Sequence, residues 1–347
     1  MNRFLPALTD YFSRAELPGV PGWTPSEPFD VTPLAQGEYN MNYLLQQGER
    51  RWVCRVNVAS QIGLDDQIVY EYRALELLAP GGVTPLPFHV ERSSAQFPRG
   101  LLIMEYLEGE PLDYHRDTLG AARLFARIHS LPVAPEANHL IQEQKPLTET
   151  YAESSRLLQT YLQSPLADPA VSSYLAAVLA WADDARHAER YFTEDPWPCI
   201  INTEVNSGNF IANRPRGTLH LVDWEKPLWG DPSQDLSHFS VPTTTLWKTD
   251  FWMTARQRRT FLSAYRAAIT DAHLRDTISD RVRLRDPFNC LRGICWSAMA
   301  WVAYHTGEHV LRNEDTFRKI SSYLEPGFLR RVFDPFLENR PDCLWNA

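Results

Sequence analysis

Two short segments carry most of the groups that can do chemistry. The first is Ile200-Ile201-Asn202-Thr203-Glu204-Val205-Asn206-Ser207-Gly208-Asn209-Phe210. It sets a carboxylate, three amides and a glycine between two apolar runs. The second is Leu221-Val222-Asp223-Trp224-Glu225, in which a carboxylate directly follows an apolar strand. A hairpin between the apolar runs brings Asn209 and Asp223 together near its open end. An amide oxygen beside a carboxylate is a hard-oxygen pair that suits magnesium with bound phosphate. Glu204, five residues before Asn209, falls on the adjoining loop, where it can orient or deprotonate an attacking hydroxyl. The plainer reading of the same residues is turn-forming asparagines and a solvated glutamate.

A second set lies upstream. Leu34-Ala35-Gln36-Gly37-Glu38-Tyr39-Asn40-Met41-Asn42-Tyr43 opens a hairpin, and a small residue at such a turn lets backbone N–H groups approach a phosphate. Arg55 follows on the next strand, and Glu71 on the next helix can pair with it. The alternative is a surface ion pair, which contributes little.

The elements that must position these residues are legible as pattern. Asn42 to Gln46 and Arg51 to Val56 alternate around Gln47-Gly48-Glu49-Arg50, which predicts a hairpin. Ile68, Tyr72, Leu75 and Leu78 recur at helical spacing and Pro80-Gly81-Gly82 ends the run. Residues 86–90 and 101–106 read as two further strands. Residues 1–30 read as an extended leader or a short helix with a packed arm. Beyond residue 112 helical spacing dominates, over 119–130, 147–163, 169–191, 255–274, 287–305 and 314–323. The exception is the middle, where 199–201, 210–212 and 219–222 are β-like.

Composition narrows the field. The chain has 347 residues, 44% apolar and 22% charged, enough to bury a sizeable core in one large or two modest domains. Its net charge of -9 gives no overall field to attract nucleic acid or an anionic membrane, and mildly favours a cationic small-molecule partner. Five scattered cysteines with no Cys-x-x-Cys pair suggest a reducing compartment and no zinc cage. Residues 1–30 lack the apolar core of a signal peptide, and no run of 18 apolar residues occurs. A cytoplasmic protein is the expectation.

Taken in order, the glycine loop, the strand cation, the helix glutamate and the strand ending Glu105-Tyr106-Leu107-Glu108-Gly109 lead to the catalytic-loop segment and the strand aspartate. This order resembles the aminoglycoside phosphotransferase and choline kinase superfamily. The most specific stretches are Tyr70-Glu71-Tyr72-Arg73-Ala74-Leu75, Leu102-Ile103-Met104-Glu105-Tyr106-Leu107-Glu108-Gly109, Ala126-Arg127-Ile128-His129-Ser130-Leu131-Pro132, Val222-Asp223-Trp224-Glu225 and Gly230-Asp231-Pro232-Ser233-Gln234-Asp235-Leu236. The resemblance implies an α+β, bilobal protein-kinase-like fold. Residues 1–33 would be an extension, 34–108 a small β-rich N-lobe, and 109–347 a large helical C-lobe carrying the catalytic loop and acceptor site.

It also implies roles. Residues 36–41, with Gly37 and Asn40, would cover the ATP phosphates. Arg55, oriented by Glu71, would contact them; no lysine precedes Lys145, and a guanidinium binds phosphate bidentately. The backbone of Glu105 and Leu107 would meet adenine, with Met104 lining that pocket. Asn209 and Asp223 would hold Mg2+, and Asp235 would brace the catalytic loop. The family usually reads His-Gly-Asp-x-x-x-x-Asn; here Asn202, Thr203, Glu204 and Asn209 stand at those places. Glu204 therefore occupies the base position, one methylene longer than aspartate, a displacement of ~1 Å. The implied activity is ATP- and magnesium-dependent phosphorylation of a small-molecule hydroxyl, with GTP the alternative donor. The rival readings are a pseudokinase that binds nucleotide or a partner without turnover, and a nucleotidyl transferase.

Overall fold

A computed structural model describes residues 2–37, 39–60, 62–93, 97–307 and 313–345. The elements begin with α1 (Leu5–Phe12), β1 (Asp30–Gln36), β2 (Asn40–Gln47), β3 (Arg50–Asn57), α2 (Gln67–Leu78), β4 (Pro87–Glu91) and β5 (Leu101–Glu105). They continue with α3 (Tyr114–His129), β6 (Ile141–Gln142), α4 (Pro146–Leu162), α5 (Pro169–Ala185), α6 (Arg190–Thr193), β7 (Cys199–Ile201), β8 (Phe210–Asn213), β9 (Thr218–Leu221) and β10 (Leu228–Gly230). The rest is helical: α7 (Ser233–Ser240), α8 (Pro242–Thr245), α9 (Ala255–Ala268), α10 (Ala272–Thr306), α11 (Glu314–Tyr323) and α12 (Pro326–Leu337). The chain divides into two compact units, one of residues 1–110, 131–141 and 210–227, the other of 111–130, 142–209 and 228–347.

The first unit is built on an antiparallel sheet of order β1-β2-β3-β5-β4. The alternating runs form the β2–β3 hairpin, turned at Gly48 with φ +60°, where glycine carries no Cβ penalty. Register sets Asn42 opposite Arg55. β1 has no strand signature of its own: it is mostly exposed and carries Pro33, which an edge strand tolerates. Residues before β1 form the packed arm. Leu8 and Phe12 of α1 are fully buried and cluster with Trp23, Tyr43, Leu45, Trp52, Phe97 and Ile103. Each such side chain contributes roughly 1.5–3 kcal/mol by leaving water. In the same unit, β8 pairs with β9, Phe210 opposite Leu221.

The second unit is helical around α10, which packs on α4 and α7, while α3 packs on α9. Here the helical spacing needs two corrections. The helix expected over 255–274 breaks, because Ile269 is extended and the Asp271 side chain caps a new helix at the Leu274 N–H. The helix expected to begin at Pro287 instead runs through it as part of α10, 35 residues long. Ile278 and Val282 before that proline, and Phe288, Cys290, Leu291, Ile294 and Ala298 after it, are buried, so packing outweighs one lost backbone bond. β7, short and fully buried, pairs antiparallel with β10. All five cysteines are unpaired thiols. Among the described residues no helix is long and apolar enough to cross a membrane.

Candidate active site

In the first unit the named residues converge on Arg55. It points from the middle of β3, and its side chain is only 5% exposed. Nη1 donates to Glu71 Oε1 at 2.6 Å and to Asp223 Oδ1 at 2.7 Å, while Nε donates to Asn42 Oδ1 at 3.0 Å. The spacing of α2 turns Glu71 inward with Ala74, Leu75 and Leu78. Asp223 stands just beyond β9, with φ +64° and a side chain 30% exposed. Nearby, Asn40 Nδ2 donates to a Glu225 carboxylate oxygen, Asn57 Nδ2 donates to Asn40 Oδ1, and Gln67 Nε2 donates to the Glu225 carbonyl at 2.9 Å.

Three carboxylates thus surround one guanidinium. Burial works against the Arg55 charge, but Glu71, Asp223 and Glu225 more than offset it and hold the guanidinium above its ordinary range. Burial pushes the Glu71 carboxyl up to about 7; Arg55 pulls it down and the Asp223 carboxylate raises it.

The remaining residues assigned here are more mixed. The Gly37 N–H closes its turn on the Asn40 carbonyl at 2.9 Å. Glu38 of that loop lies outside the described residues. Met104 and Glu105 end β5, where the Glu105 N–H donates to the Leu86 carbonyl, and Leu107 follows with an N–H that meets no group among the described residues.

In the second unit the loop after β7 is gripped from behind. The Asp235 carboxylate, fully buried on α7, accepts from the Asn202 N–H at 2.8 Å and from the Thr203 N–H at 2.9 Å. His129, buried with it, lies between Asp235 at 3.4 Å and the Tyr265 hydroxyl at 3.0 Å. Thr203 has φ +72°, a conformation rare for a β-branched residue. Such strain persists only where its surroundings impose it. The Asp235 grip does so from one side, and Arg292 Nη1 on the Thr203 carbonyl at 3.4 Å from the other. Asn202 Oδ1 then accepts the Glu204 N–H at 2.9 Å, and Asn209 Nδ2 donates to the Glu204 carbonyl at 2.7 Å. Glu204 and Asn209 are therefore fixed to each other through one peptide.

In the second unit, with Nδ2 committed to the Glu204 carbonyl, Asn209 keeps its amide oxygen as a hard donor; in the first, Asp223 is a partly exposed carboxylate. Among the described residues no group of three or more His, Cys, Asp or Glu side chains is arranged as a metal cage.

Sequence reasoning passed over Asn42 and Arg292. The hairpin register contained the signal for Asn42, directly across from Arg55. Nothing local marked Arg292, 89 residues from Thr203.

Residues 30–276 match the phosphotransferase enzyme family, and the chain belongs to that family. Solved structures agree in fold. A choline kinase from Cryptosporidium parvum Iowa II has a TM-score of 0.66 at 12% identity, covering 94% of this chain and 96% of that one. A Plasmodium vivax ethanolamine kinase has 0.61 at 13%, covering 88% and 85%. A spectinomycin phosphotransferase in complex with ADP and spectinomycin has 0.58 at 10%, covering 88% and 91%. No curated protein matches the sequence. The fold is the α+β, protein-kinase-like fold of these enzymes.

Proposed function

We propose that the protein transfers the terminal phosphoryl group of ATP, with magnesium, to a hydroxyl of a small molecule. The observation that carries this is the buried Arg55–Glu71 pair with Asp223 on the same guanidinium. A buried guanidinium kept in place by a buried carboxylate supports a role in holding phosphate charge. On this reading Arg55 binds the phosphates, kept in place by Glu71, and Met104, Glu105 and Leu107 meet the base. Gly37 and Asn40 belong to the loop over the phosphates. Asn209 and Asp223 would hold the metal, which when bound neutralises phosphate charge. Glu204 orients the acceptor hydroxyl and takes its proton. Asp235 is a positioning residue acting through the loop backbone. The proteins alike in fold are named for choline, ethanolamine and spectinomycin, which supports a small-molecule acceptor.

One observation favours a second reading. The strained Thr203 and the longer Glu204 stand where the family usually has glycine and aspartate, and a base misplaced by ~1 Å can lower a rate ~10²-fold. A nucleotide-binding protein without turnover fits those residues too. Calorimetry with ATP and with GTP, with and without magnesium, is the deciding measurement. Metal-dependent binding that Asp223→Ala abolishes supports the nucleotide site and justifies an acceptor screen. Absence of binding to either nucleotide overturns the proposal.

A further inference from the structure

A separate cavity of about 310 Å³ lies within the second unit, walled by Phe192, Trp197, Pro146 and Pro198 with Glu143 and Asp231. It flanks the start of β7, whereas the Glu204 loop leaves that strand's end. The four residue steps from Pro198 to Asn202 span roughly 13 Å.

Its charged lining is acidic. Arg281 and Arg285 stand behind the acids with side chains 0% exposed. Both guanidiniums lie over the Phe192 ring, 5.9 and 5.7 Å from its centroid. Arg281 pairs with Asp231 Oδ2 at 2.6 Å, and the Ser233 N–H takes Oδ1 at 2.9 Å, so Asp231 is satisfied.

Glu143 is not. Its side chain is 6% exposed, yet only Oε2 is used: Arg285 Nη2 donates to it, and the Asp231 N–H reaches it at 3.3 Å. Gly230 presses on the same oxygen, since a Cβ there would lie 2.7 Å from Oε2. The carboxylate is therefore fixed in place, while Oε1 has no hydrogen-bond partner among the described residues and is not sealed from the cavity it lines. An oxygen that faces the cavity with no protein donor can exchange its water for a ligand N–H, and a charged donor makes that bond stronger than a neutral one does.

We infer that this cavity is a second ligand site, for a small protonated amine with a flat apolar body. The ammonium donates to Glu143 Oε1, and the body lies against Trp197, Phe192 and the prolines. The volume is at the small end of ligand cavities, which limits the guest to a fragment-sized molecule. The inference does not rest on the phosphotransferase reading.

The test is calorimetric titration of the full chain with phenethylammonium chloride, with neutral 2-phenylethanol and anionic 3-phenylpropanoate as comparisons. Saturable binding of the amine, roughly 10- to 100-fold weaker for the alcohol and absent for the carboxylate, is expected. Glu143→Gln and Trp197→Ala should each weaken the amine at least about tenfold. Glu204→Gln should leave it unchanged, which separates this cavity from the proposed acceptor site. Thermal melts identify a variant that fails to fold. If Glu143→Gln does fail, because Arg285 loses its partner, Trp197→Ala decides, since that ring is only half-buried. No binding, equal binding of amine and alcohol, indifference to Trp197→Ala, or a loss in Glu204→Gln instead would each overturn the assignment.

Discussion

Arg55 in the first unit and the Glu204 loop in the second are held by opposite means. Arg55 is fixed by charge: side chains meet side chains, four ionisable groups share one buried space, and one of them titrates near neutrality. The loop is fixed through its backbone: one buried carboxylate takes two successive N–H groups, and a left-handed residue bends the chain directly after them. In the proposed role, Arg55 would have to stay in place while the charge around it changes, and electrostatic tethers allow that. In its proposed role, Glu204 would have to keep its position to a fraction of an ångström, which hydrogen bonds on the main chain enforce. The contrast predicts that the first region is sensitive to pH and salt, and the second to geometry.

The largest effect falls on the loop. Glu204→Gln keeps the shape and removes the proposed base, and should lower the transfer rate ~10²- to 10⁴-fold with nucleotide affinity unchanged, measured by steady-state kinetics and calorimetry. Undiminished turnover would remove Glu204 from the mechanism. Asp235→Asn comes next. An amide has one acceptor oxygen for two N–H groups, so one is left buried and unpaired, at ~1–3 kcal/mol. A lower melting temperature should accompany a fall in rate of ~10²-fold, since the loop shifts. A stability loss with normal turnover would show that the grip is structural only.

In the Arg55 region the expected change is smaller and follows pH. Glu71 is raised by burial to about 7, so the folded form binds its proton more tightly than the unfolded chain. Its contribution favours folding at acid pH and is lost as pH rises from the ordinary carboxylate range through about 7. The Arg55–Glu71 pair, in contrast, is complete only above that value. Nucleotide affinity should therefore rise with pH through neutrality, and Glu71→Gln should flatten the profile. A profile identical in wild type and variant would mean that Glu71 does not set the behaviour of Arg55. Thr203→Gly is the mildest change. Releasing the strain of a left-handed β-branched residue gains ~1–2 kcal/mol, of which glycine's extra chain entropy returns ~0.4–1. A melting temperature a few degrees higher is expected. A drop instead would mean that the threonine side chain packs for more than its backbone costs.

How much of this was legible depended on whether the signal was local. The β2–β3 hairpin and α2 stood out because alternation and helical spacing act over a few residues. The partnership of Asp235 with Asn202 and Thr203 spans more than thirty residues, and only the family resemblance suggested it. β1 was hidden by its polar, proline-bearing sequence, since an edge strand has no buried face to advertise. α10 was misjudged at Pro287 because a proline signals a helix start by local rules, whereas a buried helix surrounded by packing tolerates it. α12 carries Pro326, Gly327 and Pro335, punctuation that masked its apolar face of Leu329, Val332, Phe333 and Phe336. The αL backbone of Thr203 had no sequence mark at all.

The aromatic arm that begins the first unit has a consequence for synthesis. Phe4, Leu8, Phe12 and Trp23 rest on a surface that includes Phe97 and Ile103. The arm is made first, but its seat is complete only after roughly 80 further residues, which at about 5–20 residues per second takes on the order of 4–16 s. Through that interval a cluster of apolar rings travels on the nascent chain with only the earlier part of its seat, including Tyr43, Leu45 and Trp52, to cover it. The ribosome thus presents the most adhesive part of this unit before the sheet that shields it is complete.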